Sequence, residues 1–357
     1  MTAPLTRPRF ALGALAALLV LAVVAASAAL LLRDQPNDDP RKSEALVVEP
    51  VIDCEFVDAS ATLVPGCGAW VGSSDRRTDD LDLAVQESVL GRPLDMVRLY
   101  VVGPDAEFFP PAHQELADDG RILVYSWKVS TDNDPGPVWR RVADGEFDAE
   151  LRRAANEIVA SGHQVLFSLH HEPEDDSATL GGPYGTDADY RAMMRHAYDV
   201  MEPIGGEQLV WFVNYMGHSF GSFDQVEAMY PGDDVLDWIS WNPYNWFGCH
   251  NDAPWKGFAE QASPFYEWAR ENHPDLPLMI GETATNEDPN DPAAKAEWIY
   301  DMGAALKSEF PQIRAVLWFH QSTDSGFCER RWDSSESSSD AFRTLATAEY
   351  FSPRSPR

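Results

Sequence analysis

Phe167-Ser-Leu-His-His-Glu172 and Leu278-Met-Ile-Gly-Glu282 decide the fold. Each runs from a short apolar segment straight into a glutamate. A buried strand followed at once by an exposed acid is how a barrel of parallel strands carries reactive groups at its mouth. The stretch between the two glutamates leaves room for further strand–helix units. Reading outward, Ala69–Gly72, Met96–Val102, Ile122–Trp127, Val165–Leu169, Leu209–Val213, Val235–Ser240, Leu278–Ile280 and Ala315–Phe319 all read as strands.

The segments between them carry helical spacing. Leu151, Ala154, Ala155, Ile158 and Val159 form one apolar stripe, begun near a capping Asp148 and ended before Gly162. Tyr190, Met193, Met194, Ala197, Tyr198 and Met201 form a second. Asp291-Pro292 offers a cap and a first-turn proline ahead of Ala294, Trp298, Met302, Ala305 and Leu306. Strands alternating with helices predict a (β/α)₈ barrel over 53–352. No G-x-G-x-x-G or P-loop pattern speaks for a nucleotide fold. The run Ser334 to Ser339 reads as a surface loop.

The 357 residues carry 58 acids against 27 Lys and Arg, a formal net charge of −31. Such a field repels phosphate backbones and other polyanions, so no nucleic-acid partner is expected and a neutral substrate is. Arg7 and Arg9 precede an apolar run from Phe10 to Leu32 that is closed by Arg33 and long enough to span a bilayer. Residues 1–33 therefore read as a signal peptide or an uncleaved signal anchor that places the remainder outside. Residues 34–52 read as a flexible linker, and the membrane is expected to be met through the N-terminal segment alone. Four cysteines allow three pairings. Cys54–Cys67 is expected because it is local, and Cys249–Cys328 because it joins two loops on one face.

Two carboxylates facing each other across one bond are the requirement of glycoside hydrolysis, so Glu172 and Glu282 are the candidate catalytic pair. Sugar-binding clefts also use flat aromatic rings, and the chain has 12 tryptophans. Arg98 lies in the second strand between apolar residues. If buried, it needs an acid partner, and pairing with Glu282 would keep that group ionised. A metal site at His170, His171 and Glu172 is disfavoured, because consecutive strand residues point to opposite faces. No metal and no cofactor is assigned.

The chain resembles glycoside hydrolase family 26, best known for β-mannanases, over about residues 68–351. The resemblance rests on Gly68-Ala-Trp-Val-Gly72, Trp139 with Gly145-Glu-Phe-Asp148, His171-Glu172, Tyr230-Pro-Gly-Asp-Asp234, Val235-Leu-Asp-Trp238, Asn242-Pro-Tyr244, Ile280-Gly-Glu282, and Trp318-Phe319 followed by Ala341-Phe342. It implies a retaining β-glycanase with Glu172 as acid/base and Glu282 as nucleophile. It further implies that His171 orients the acid and Tyr244 sits by the nucleophile. Trp318 would floor the site beneath the cleaved sugar, with Trp127 and Trp246 lining the cleft.

After the acid, Pro173-Glu-Asp-Asp176 and Gly181-Gly-Pro-Tyr184 depart from the mannanase pattern. The extra carboxylates would help keep Glu172 protonated. They also leave specificity open between β-mannan, β-1,3-xylan and mixed-linkage β-glucan. A non-catalytic carbohydrate-binding cell-wall protein on the same barrel is the alternative of a different class. A monomer acting on a polysaccharide is expected.

Overall fold

Apolar runs rich in Val, Leu, Ile and aromatics make the strands, and their burial on both faces is what an all-parallel sheet requires. The computed structural model describes residues 63–74, 83–131, 136–217, 223–249, 253–322 and 328–352. The expected signal or anchor segment, the linker and Cys54 lie outside the described residues.

Eight parallel strands close a barrel in sequence order: β1 (Trp70–Ser74), β2 (Met96–Val102), β3 (Ile122–Lys128), β4 (Val165–Leu169), β5 (Leu209–Tyr215), β6 (Trp238–Trp241), β7 (Leu278–Thr283) and β8 (Ile313–Phe319). The helices are α1 (Leu83–Leu90), α2 (Pro111–Asp118), α3 (Val138–Ala143), α4 (Asp148–Ser161), α5 (Pro173–Asp176), α6 (Asp187–Gly205), α7 (Asp224–Met229), α8 (Phe258–Asn272), α9 (Ala294–Ser308) and α10 (Glu336–Thr347). The predicted (β/α)₈ barrel is the observed fold.

Strand periodicity sorts the side chains into layers. Trp70, Met96, Val124, Leu166, Phe212, Trp238, Met279 and Leu317 fill the barrel interior. Two residues further along, Arg98, Ser126, Ser168, Asn214 and Ser240 form a buried polar layer above them. Two more bring Tyr100, Lys128, Met216 and Asn242 to the mouth. Residues of opposite parity, such as Val97, Phe167, Val213 and Val316, pack outward against the helices.

Three local expectations change. Asp148 is the first residue of α4 and not its cap; its carboxylate meets His196 at 2.7 Å and Arg152 at 2.8 Å. α9 begins at Ala294, and Asp291 accepts from the Ala293 N–H just ahead of it. The serine run is a helix start and not a loop. Ser335 and Ser338 form a reciprocal capping box for α10, with Ser338 buried. Short polar side chains at those two positions suit a cap better than a loop. Gly162 ends α4 at φ 78°, as its place after the apolar stripe predicts.

Candidate active site

The first glutamate is placed by a strained turn. β4 ends at Leu169, and the next residues include two with left-handed backbone, His170 at φ 56° and Glu172 at φ 52°. Non-glycine residues rarely adopt this region, and where they do the surroundings hold them. Here the His170 N–H donates to the Trp127 carbonyl and the Glu172 N–H to that of Asn214. The turn sends the two histidines apart. His170 is buried edge-on to Trp139 and Tyr184, while His171 lines the cleft with its ring 5.0 Å from that of Tyr100.

The second glutamate is placed by a break in register. Pairing of β7 with β8 shifts between Ile280 and Thr283. The shift turns the consecutive Gly281 and Glu282 toward the barrel axis. Gly281 is pressed so close that a Cβ would stand 2.0 Å from Asn214 Oδ1 and 2.4 Å from Ser240 Oγ. Only glycine fits there, which gives the Gly-Glu dipeptide a packing reason.

Glu282 is buried and approached by three donors, two from β2 and one from the segment after β6. Arg98, fully buried, brings Nη1 to 3.3 Å of its carboxylate, as the strand-two position predicts. Tyr100 donates its hydroxyl to Oε1, and Tyr244 donates to Oε2. Burial first, and carboxylate charge after it, holds both phenols far above their ordinary pKa, so they remain donors. Arg98 is fixed from behind by Ser126 Oγ at 2.9 Å and Asn214 Oδ1 at 3.1 Å. A buried guanidinium with a carboxylate and further acceptors meets the conditions for a tolerable buried ion pair.

The segment after β6 links the two glutamates. Asn242 Nδ2 donates to Glu172 Oε1 at 2.7 Å, while Tyr244, two residues on, holds Glu282. Both carboxylates act electrostatically on the Tyr244 phenol. Glu172, His171 and Tyr100 line a cavity of about 530 Å³ together with Lys128, Asp176 and Met216.

Trp246 reaches the mouth as expected, its ring 4.5 Å from that of Tyr244. The Arg330 guanidinium lies 4.7 Å from the Phe319 ring and 5.8 Å from that of Trp246. Cys249 and Cys328 form a disulfide that ties the loop after β6 to the loop after β8. Cys67 is disulfide-bonded, whereas its expected partner Cys54 lies outside the described residues.

Two tryptophans are not where the resemblance put them. Trp318 is 1% exposed and packs outward on Trp298 and Phe342, donating to the Arg330 carbonyl. Trp127 is fully buried, faces Phe108 and Phe167, and donates to the Gly103 carbonyl. The cause is parity, since each sits one residue away from the inward-facing Phe319 and Lys128. Neither floors or lines the cleft.

The acidic stretch after Glu172 also differs from expectation. Glu174 is buried, and its carboxyl is pushed up to about 8, by burial first and by the Glu172 charge after it. It is therefore uncharged near neutrality, and it accepts from the Met216 N–H at 2.8 Å. Burial would raise Asp176 too, but His170 and Lys128 bring it down to about 2. The stretch is thus no cluster of free negative charge around the acid. Because the folded pKa of Glu174 lies above the unfolded 4.5, its contribution to stability is full below 4.5 and is lost as pH rises through 8. Across pH 5–8 the Tm of wild type should fall relative to that of Glu174→Gln as pH rises. Parallel curves for the two proteins would mean that Glu174 is already ionised when folded.

Tyr100, Asn242 and Lys128 went unassigned in the sequence. Tyr100 carries a usable signal, because it stands two residues beyond Arg98 on the same face of one strand.

With this geometry in place, similarity to known proteins becomes informative. No family model matches the chain. Endoglucanase H of Acetivibrio thermocellus is 24% identical over 266 residues, covering 72% of this chain and 28% of that protein. The chain thus spans little more than a quarter of this curated relative. The family 26 domain of an endo-β-mannanase/endo-β-glucanase from Prevotella bryantii superposes with a TM-score of 0.56 at 13% identity, over 82% of this chain and 96% of that one. A family 26 β-mannanase from Bacteroides ovatus gives a TM-score of 0.57 at 16% identity, over 79% and 89%. The fold is that of the family 26 glycoside hydrolases. In this barrel Glu172 follows β4 and Glu282 lies within β7.

Proposed function

We propose that this chain is a retaining endo-β-glycanase that hydrolyses β-mannan or a related neutral polysaccharide. The carrying observation is the Asn242-Pro243-Tyr244 segment, which holds Glu172 through its first residue and Glu282 through its third. A binding protein needs aromatic platforms; it does not need two acids locked to one short segment.

In this reading Glu282 attacks the anomeric carbon while Glu172 gives its proton to the departing glycosidic oxygen. A glycosyl ester on Glu282 results. Glu172, now a carboxylate, takes a proton from water, whose oxygen then displaces Glu282 from the sugar. Asn242 and His171 orient Glu172, and Arg98, Tyr100 and Tyr244 orient Glu282. Trp246 lines the cleft.

A second specificity, toward β-glucans, draws on the similarity to a protein named endoglucanase H and to a domain of an enzyme named for both mannanase and glucanase activity. Export fits the same reading. Residues 1–33 would carry the domain out of the cell, as a released enzyme or an anchored one, and the Cys249–Cys328 disulfide suits an oxidising compartment.

The test is a panel of β-mannan, β-1,3-xylan, mixed-linkage β-glucan and a charged glycan, scored by new reducing ends. The anomer first released is read by NMR. Release of the β-anomer from a neutral β-glycan is expected. No hydrolysis of any glycan, or initial release of the α-anomer, would sink the mechanism.

A further inference from the structure

The cavity beside Glu172 has a second wall that the catalytic pair does not use. Lys128, at the inward-facing end of β3, donates to Asp176 Oδ2 at 2.8 Å, with side-chain exposures of 24% and 27%. Both line the same cavity as Glu172 and His171. The pair is built into the fold. His170, buried, comes within 2.7 Å of the same Asp176 oxygen, and the Lys128 ammonium lies 5.0 Å from the centre of the Tyr184 ring. Burial takes His170 down to about 4, so it stays neutral and offers Asp176 a hydrogen bond rather than a second charge.

A lysine has three donors and a carboxylate accepts at both oxygens. Their mutual contact uses one donor and shares one oxygen, which leaves donors and an acceptor side by side and open to the cavity. Vicinal hydroxyls on a pyranose each donate and accept, so such a pair can satisfy two of them at once. An anionic sugar would meet Lys128 favourably but Asp176 and the exposed Asp175 unfavourably.

We propose that Lys128 and Asp176 form a sugar-binding subsite that takes a vicinal hydroxyl pair of a neutral pyranose neighbouring the scissile bond. The proposal rests on the glycanase reading and gives a task to the Pro173–Asp176 stretch that departs from the mannanase pattern. Lys128 and Asp176 act on binding and not on the bond being broken.

The test compares wild type, Lys128→Met and Lys128→Arg on the best polysaccharide of the panel. It is repeated on the shortest activated aryl glycoside that wild type turns over. Losing a charge-assisted hydrogen bond should raise KM on the polysaccharide about 10- to 100-fold with kcat near wild type. Lys128→Arg should recover part of that loss, and all three proteins should cleave the short glycoside alike. Asp176→Asn serves as the second variant if Lys128→Met fails to fold. An unchanged KM overturns the subsite, as does an equal loss on both substrates, which would mark a purely structural ion pair. Preference of wild type for the charged glycan, abolished in Lys128→Met, would overturn the neutral-sugar assignment. A wild type inert on every glycan overturns the glycanase reading itself, a result distinct from the others.

Discussion

Replacing Glu282 with Ala is expected to abolish measurable glycan hydrolysis and to leave a protein that azide revives. Without this carboxylate nothing is placed to attack the anomeric carbon. The loss should therefore exceed the roughly 10²- to 10⁴-fold that general acid–base catalysis alone supplies. The Ala variant vacates space beside Arg98, Tyr100 and Tyr244, three donors that faced the lost oxygens. Azide is small, anionic and able to accept from such donors. It would attack from the face Glu282 occupied and give a glycosyl azide of inverted configuration. Product anomer by NMR checks this. Recovery with retained configuration, or full activity without azide, would remove Glu282 from the nucleophile's role. Circular dichroism should be run alongside, since the buried Arg98 loses its ion-pair partner and some stability with it.

How much of this site the sequence displays depends on strand parity. The eight apolar runs are legible because strands buried on both faces are apolar throughout, and the helical stripes between them are equally plain. That same continuity hides which side chains face inward. Trp318 and Phe319 read alike as strand-end aromatics, yet only Phe319 shares the face of Leu317 in the barrel interior. Trp127 and Lys128 differ in the same way. Counting in twos from Arg98 reaches Tyr100, and counting from Ser126 reaches Lys128, so both were recoverable. Glu282 was not recoverable by counting, because the register shift in β7 turns two consecutive residues inward. Only its following an apolar run into Gly-Glu marked it. The charge state of Glu174 was also hidden, because burial and not residue type decides it.

Replacing Glu172 with Ala should produce a different defect, and the contrast separates the two roles. On a glycan the leaving group is a sugar alkoxide that needs a proton as the bond breaks. Turnover should therefore fall by about 10²- to 10⁴-fold. An aryl glycoside with an acidic phenol departs with little help, so Glu282 should still form its ester at close to the wild-type rate. Hydrolysis of that ester then lacks a base, and the intermediate accumulates. A burst of released phenol followed by a slow steady rate is the expected trace, with one sugar unit added to the intact protein mass. The buried Asn242 amide would lose its 2.7 Å acceptor, yet the Glu172 side chain lines the open cavity, so water can enter the space it leaves and folding should survive. A variant equally slow on glycan and activated glycoside, with no burst, would place Glu172 outside acid–base catalysis, because loss of proton transfer alone must spare the substrate that needs no proton.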